Sequence, residues 1–239
     1  MHPTGNSGFD AERPIPTRLA KYTRTRLRSS DRYFATNANY LCFLFGRKQQ
    51  LHLTSVQGLQ ARIKCGTKQK EFDLNDEKTQ LAMSSAYAKI RGFPQYWKSV
   101  KFMLRAHVAA FGAPTWFLTL NPNLKGWTDL HRLYETVTGV EHVSEENIER
   151  IVARDPGVFA RYWRHRVDSF FNNVLLKPNG PLGTVTHHFR RVEYQHRGTQ
   201  HVHCLLWTKD RPTVATSPAE VEAFIDAHVT ARLPDEESE

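Results

Sequence analysis

The sequence reads as a mixture of helices and strands, and three observations lead there. Apolar residues recur at three- and four-residue steps within 77–111 and again within 155–176, the spacing of helices with one inward face. Shorter stretches rich in β-branched and aromatic residues stand at 115–120, 183–195 and 201–207, which suits strands. The last two are joined by His196-Arg197-Gly198-Thr199-Gln200, a hairpin loop whose glycine is free to take a positive φ.

In chain order, residues 1–32 form a basic N-terminal arm, extended or partly helical, with seven arginines and lysines and few large apolar residues. Residues 33–112 form a helical region. It opens on an aromatic run, Tyr33 to Phe45, that predicts a short buried helix. Gly92-Phe93-Pro94 interrupts the helical pattern from Glu77 to Phe111. In its second half Trp97, Val100, Met103, Leu104, Val108 and Phe111 give one apolar face, and Gly112 and Pro114 stop the helix. Residues 113–239 form the third part. It begins with a strand, Thr115 to Leu120, that ends in the turn Asn121-Pro122-Asn123. After an ambiguous, partly helical stretch at 128–152, Asp155-Pro156 suits an N-cap and first helical position for a helix to about Leu176. Pro178-Asn179-Gly180-Pro181 is a turn. Ser217-Pro218-Ala219-Glu220 fits a capping box ahead of a last helix.

Composition limits the classes of function. Of 239 residues, 40% are hydrophobic and 24% charged, enough to bury a core in one large or two small domains. No apolar run approaches the ~20 residues of a membrane-spanning helix, and the first residues lack the pattern of a secretory signal. Cys42, Cys65 and Cys204 are widely spaced and odd in number, which argues against a disulfide framework or zinc knuckle and for an intracellular protein. Residues 209–239 hold eight acidic and three basic side chains, which leaves +14 on residues 1–208 out of a whole-chain charge of +9. A basic body of this kind suits a polyanionic partner, most simply nucleic acid.

The sharpest motif is His201-Val202-His203 within an apolar strand. Alternation places the two imidazoles on one face and Val202, Cys204 and Leu206 on the other, against a helix. Two imidazoles so spaced are a ready pair of metal ligands. The preceding strand carries Glu193, which the hairpin brings beside them. One glutamate and two histidines, with open positions for substrate oxygens, suit Mg²⁺ or Mn²⁺ over a phosphate. His187 shares the parity of Glu193, but a structural or DNA role suits it better than a third imidazole ligand. Cys204, Trp116 and Trp163 are expected in the core. Arg161, Arg164 and Arg166 on the long helix, Arg190, Arg191 and Arg197 near the hairpin, and the group Arg24, Arg26 and Arg28 are candidate phosphate contacts. Trp207 is a weaker candidate for base stacking.

The strand-hairpin-strand Val192 to Trp207 closely resembles the histidine-hydrophobic-histidine motif of Helitron-like transposases. Phe117-Leu118-Thr119-Leu120-Asn121-Pro122 resembles the first motif of their Rep, or HUH, endonuclease domain, in which the threonine helps frame the DNA site. Further similarities lie in Gly180-Pro181-Leu182-Gly183, in Arg91 to Trp97, in Phe111 to Thr115, and in His2-Pro3-Thr4-Gly5 with Arg13-Pro14. The resemblance implies an α+β fold, a central antiparallel sheet flanked by helices, HUH/Rep endonuclease-like. It implies metal-dependent nicking and strand transfer of single-stranded DNA at transposon ends, through a 5′-phosphotyrosine intermediate, in rolling-circle transposition. Thr119 and Asn121, with Arg190, Arg191 and Arg197, become the expected DNA contacts. A C-terminal helicase domain of a longer protein is the expected partner, and the nucleus the expected site in a eukaryotic host.

One departure stands against full activity. In the family the nucleophilic tyrosine lies C-terminal to the histidine motif, yet no tyrosine follows Trp207. Tyr194 alternates away from Glu193. No catalytic residue is assigned, and the 113–239 core is read as cut off before the tyrosine motif, inactive in nicking by itself. The alternative is a non-catalytic DNA-binding remnant or domesticated module of the same fold. A histidine-triad hydrolase is disfavoured by Leu205, where a third histidine would stand. A two-histidine phosphoesterase is disfavoured by the lack of His-x-Thr/Ser motifs at this site.

Overall fold

In a computed structural model, residues 8–64, 77–194 and 199–231 are described. His2 to Gly5, Cys65, Arg197 and the hairpin glycine Gly198 lie outside the described residues. The elements are α1 (Leu19–Leu27), α2 (Tyr33–Thr36), α3 (Ala38–Lys64), α4 (Glu77–Tyr87), α5 (Pro94–Phe111), β1 (Trp116–Leu120), α6 (Thr128–Thr138), α7 (Ile148–Arg154), α8 (Pro156–Phe170), a π-helical turn (Phe171–Leu175), β2 (Val185–Tyr194), β3 (Gln200–Thr208) and α9 (Pro218–Asp226). This is the expected α+β class, with an antiparallel sheet in the order β1-β3-β2. Among the described residues no helix is long and apolar enough to cross a membrane. The chain forms two compact units. One comprises Met1–Ala106, Thr136–Val140 and Arg154–Gly157; the other comprises His107–Glu135, Glu141–Ala153 and Val158–Glu239.

In the first unit Phe34, Tyr40 and Leu44 form a buried cluster, with Leu19 and Leu27 packed on it. The aromatic run from Tyr33 does not make one short buried helix. It splits into α2 and the start of the much longer α3, and Phe43 and Phe45 are each 63% exposed. The reason is helical geometry: Tyr40 and Leu44, four apart, share a face, whereas Phe43 and Phe45 project from others. Arg32, with a left-handed φ of 56°, turns its side chain inward. Its Nε and Nη2 donate to the Asp155 carboxylate at 2.7 and 2.8 Å, and Nη1 donates to the Leu27 carbonyl at 3.1 Å. Both partners are buried, so Asp155 is fixed by a paired guanidinium that the local N-cap pattern did not announce.

In the second unit β3 is the central strand, paired with β1 from Trp116↔Leu206 to Leu120↔Val202 and with β2 from Val185↔Thr208 to Tyr194↔Gln200. Cross-strand partners share a face. Val202, Cys204 and Leu206 are buried on one face, as the alternation predicts. On that face α8 and the π-helical turn meet β2: the Phe171 ring lies 5.7 Å from His188, and Asp168 pairs with Arg190 at 2.8 Å. Val158, Phe159, Trp163 and Val167 of α8 are buried, as are Leu130 and Tyr134 of α6. The Tyr134 hydroxyl accepts from the Phe159 amide at 3.2 Å. Ser217 and Glu220 form the expected reciprocal capping box of α9.

The apolar face along α5 is only partly covered, with Trp97, Val100, Leu104 and Phe111 half-buried. None of its described residues is buried, and Met103 is 46% exposed. Periodicity reports that a face can be covered, not that a partner covers it. The C-terminal end of α5 is engaged nonetheless: Phe111 stacks on His187 at 3.7 Å, and Trp207 donates its indole N–H to the Gly112 carbonyl at 2.9 Å. Gly112 ends the helix at a φ of 73°, where a side chain would be strained.

Two predictions follow from this packing. Arg32→Ala leaves the buried Asp155 carboxylate uncompensated and lowers unfolding free energy in urea by about 3–5 kcal/mol. Arg32→Met with Asp155→Leu recovers most of that loss, and a loss under ~1 kcal/mol in the single variant would contradict the assignment. Burial pushes the Cys204 thiol up to about 11. With Cys42 and Cys65 changed to serine, Cys204 resists a disulfide reagent at pH 8 until the chain is unfolded. Because its folded pKa is raised, its contribution to stability is present below the unfolded value of ~8.5 and declines as pH rises towards the folded one.

Candidate metal centre

The site is built at the hairpin end of the sheet, on the face away from α8. Register places Glu193 directly across from His201, and Arg191 across from His203. On the other side Thr119 pairs with His203, and Asn121 follows two residues on, with the same parity. Six polar side chains, from three strands and the turn after β1, therefore share one face, because β3 is bonded along both edges.

Hydrogen bonds set the imidazoles. His201 Nδ1 is bonded to Asn121 Oδ1, and His203 Nδ1 shares a hydrogen bond of 3.0 Å with Thr119 Oγ1. An amide oxygen only accepts, so His201 carries its proton on Nδ1 and a lone pair on Nε2 when neutral. That Nε2 is buried with no hydrogen-bond partner. Buried polar atoms are rarely left so, and a lone pair of this kind is what a cation uses. His203 differs. Its Nε2 lies 3.2 Å from Glu193 Oε2, and Arg191 Nε stands 3.5 Å from Glu193 Oε1. A threonine hydroxyl can donate or accept, so the His203 ring can exchange tautomers without moving.

The three expected metal ligands thus come to one face, although among the described residues no three His, Cys, Asp or Glu side chains converge as a ready-made metal cage. The donor set still suits a cation in kind: two imidazoles held at Nδ1, which leaves Nε2 as the donor atom, and one carboxylate. Hydrogen-bond partners on Nδ1 are the usual way in which metal-binding histidines are oriented.

The other expected residues fall into distinct places. Thr119 and Asn121 hold the imidazoles. Arg191 is beside Glu193. Arg190 is on the opposite face, paired with Asp168 and lying over the Phe171 ring at 5.1 Å. Arg166 bonds Asp129 and Tyr162 and lies over Trp127 at 4.5 Å. Asp129 is correspondingly lowered, chiefly by the Tyr162 hydrogen bond, and Tyr162 is raised to about 12, chiefly by burial. His187 is stacked on Phe111 far along the same strand. Trp207 is buried and not open to a base. The sequence reading did not single out Phe117, whose ring lies parallel to His203 at 5.5 Å while remaining 68% exposed. Its alternation with Thr119 and Asn121 was the available signal, but only the β1–β3 register shows which face they occupy.

An open antiparallel sheet that presents a histidine pair, a carboxylate and their hydrogen-bonding supports on one face defines an α+β protein with a candidate metal centre. Residues 18–206 match the family described as "Helitron helicase-like domain at N-terminus", and since that is most of the chain, the protein belongs to this family. No curated protein and no solved structure matches it.

The supports on Nδ1 generate a specific expectation. Thr119→Val and Asn121→Ala each weaken Mn²⁺ binding by about 10–100-fold, measured by calorimetry, while thermal unfolding changes little. Unchanged affinity in both variants would show that β1 does not set the imidazoles for a metal.

Proposed function

We propose that this chain is the metal- and DNA-binding part of an HUH/Rep-type endonuclease acting in rolling-circle transposition. Membership of the Helitron-like family supports the setting. The observation that carries the site is the buried, unpaired Nε2 of His201 across from Glu193. In this reading His201, His203 and Glu193 hold Mg²⁺ or Mn²⁺, which when bound polarises a phosphate as a Lewis acid. Arg191 and Arg197 meet the DNA backbone near the hairpin, where phosphate contacts position the strand. Thr119 and Asn121 act through the imidazoles rather than as base-reading residues.

The reaction is a transesterification of single-stranded DNA at transposon ends. A tyrosine phenol oxygen bonds to phosphorus, the bond from phosphorus to the 3′ oxygen breaks, and the phenol proton ends on that oxygen. The products are a 5′-phosphotyrosine and a free 3′-hydroxyl. No tyrosine follows Trp207 in this chain, and Tyr194 alternates away from Glu193. These residues therefore supply the cation and the DNA contacts but not the nucleophile. A helicase region of a longer protein is the natural partner, since strand displacement must accompany rolling-circle transfer.

The test is a Mn²⁺ titration of the whole chain by calorimetry beside His201→Ala/His203→Ala, repeated with single-stranded DNA present. One site, lost in the double variant, is expected. DNA binding without any metal binding in either condition would overturn the endonuclease reading and leave a non-catalytic DNA-binding module.

A further inference from the structure

The first unit holds a cavity of about 580 Å³, walled by Phe9, Tyr22, Tyr33, Tyr40 and Phe43. We propose that it receives one unstacked base of single-stranded DNA, with the arginines and lysine of the α1 region meeting the flanking phosphates. The proposal rests on the reading of the chain as a single-stranded-DNA protein, but not on the metal centre.

Three features favour a base over a purely apolar ligand. The first is charge. Residues 8–54 carry nine basic and three acidic side chains, and Arg18, Lys21, Arg24 and Arg28 are exposed. Such a surface complements a phosphate backbone. Arg13 and Arg26 are already spoken for, since each guanidinium lies over the Tyr22 ring, at 5.4 and 5.3 Å.

The second is the polar part of the lining. Asp10 and Asn37 stand in it beside the aromatic rings, and the donors and acceptors of a base edge can meet such groups where a hydrocarbon cannot.

The third is shape and access. The volume is within the range of ~300–1,000 Å³ typical of small-molecule sites. Tyr33 and Phe43 line the cavity yet keep much of their rings exposed, as stacking platforms for single strands do. Asn39 and Arg47, also in the lining, add polar groups within reach of a nucleotide.

The test uses the whole chain in EDTA, so that no cation contributes, with a single-stranded oligonucleotide containing one 2-aminopurine. Binding is read by anisotropy, and stacking by quenching of the 2-aminopurine. The expected result is quenching with the native chain, and affinity about tenfold or more weaker in Tyr33→Ala/Phe43→Ala. Tyr40→Phe, which keeps the ring, retains its fold and weakens binding less. EDTA separates this site from the metal centre, since no cation is then available to bridge His201 and His203 to a phosphate. Binding without quenching, or equal binding by native and Tyr33→Ala/Phe43→Ala chains, would overturn the base pocket alone. Absence of any DNA binding by the native chain would overturn it together with the DNA-binding part of the proposed function.

Discussion

The candidate site depends on β3 being hydrogen-bonded along both edges. A strand paired on one side only could present His201 and His203 together, since alternation alone does that. It could not give them both a carboxylate and a set of orienting partners. β2 brings Glu193 opposite His201, and β1 brings Thr119 opposite His203 with Asn121 just beyond. The same register turns Val202, Cys204 and Leu206 to the buried face. A shift of one residue would carry the imidazoles into the core and the apolar residues to the open face. The hydrophobic pattern of β3 and the polarity of the site are therefore one constraint.

That arrangement makes the two histidines unequal. Asn121 fixes His201 in a single tautomer with its lone pair on Nε2. Thr119 accommodates either tautomer of His203, which in the absence of a cation can donate to Glu193 and in its presence can release that nitrogen. One ligand is preset and the other adjusts. If the proposed cation enters, the adjustment needed is a proton and a hydroxyl rotation, with little rearrangement of the backbone. Arg191, beside Glu193, keeps positive charge on the same face when no cation is present.

Much of this was legible in the sequence, and the limits have physical causes. The strands, the hairpin, the buried Cys204 and Trp163, and the capping box at Ser217 all follow from local chemistry. That Glu193, His201 and His203 share one face was legible because strand parity and the pairing of β2 with β3 fix it. The supporting roles of Thr119 and Asn121 were not, since β1 and β3 are separated by about 80 residues and their pairing leaves no local trace. The pairing of Arg32 with Asp155 is hidden for the same reason, at a separation of 123 residues. The apolar face of α5 was legible from its periodicity, but the pattern does not name what covers it. The split of the Tyr33 to Phe45 run into inward and outward residues was available from the 3.6-residue repeat, and composition alone obscured it.

The central claim is that β1 presets the histidines for a ligand at Nε2. The most direct measurement is the tautomer of His201, read from long-range ¹H–¹⁵N correlations in the metal-free chain at a pH where the ring is neutral. The account predicts a proton on Nδ1 of His201, lost in favour of a tautomeric mixture in Asn121→Ala. A proton on Nε2 of His201 in the native chain would contradict it, because the nitrogen meant for the cation would then be a donor.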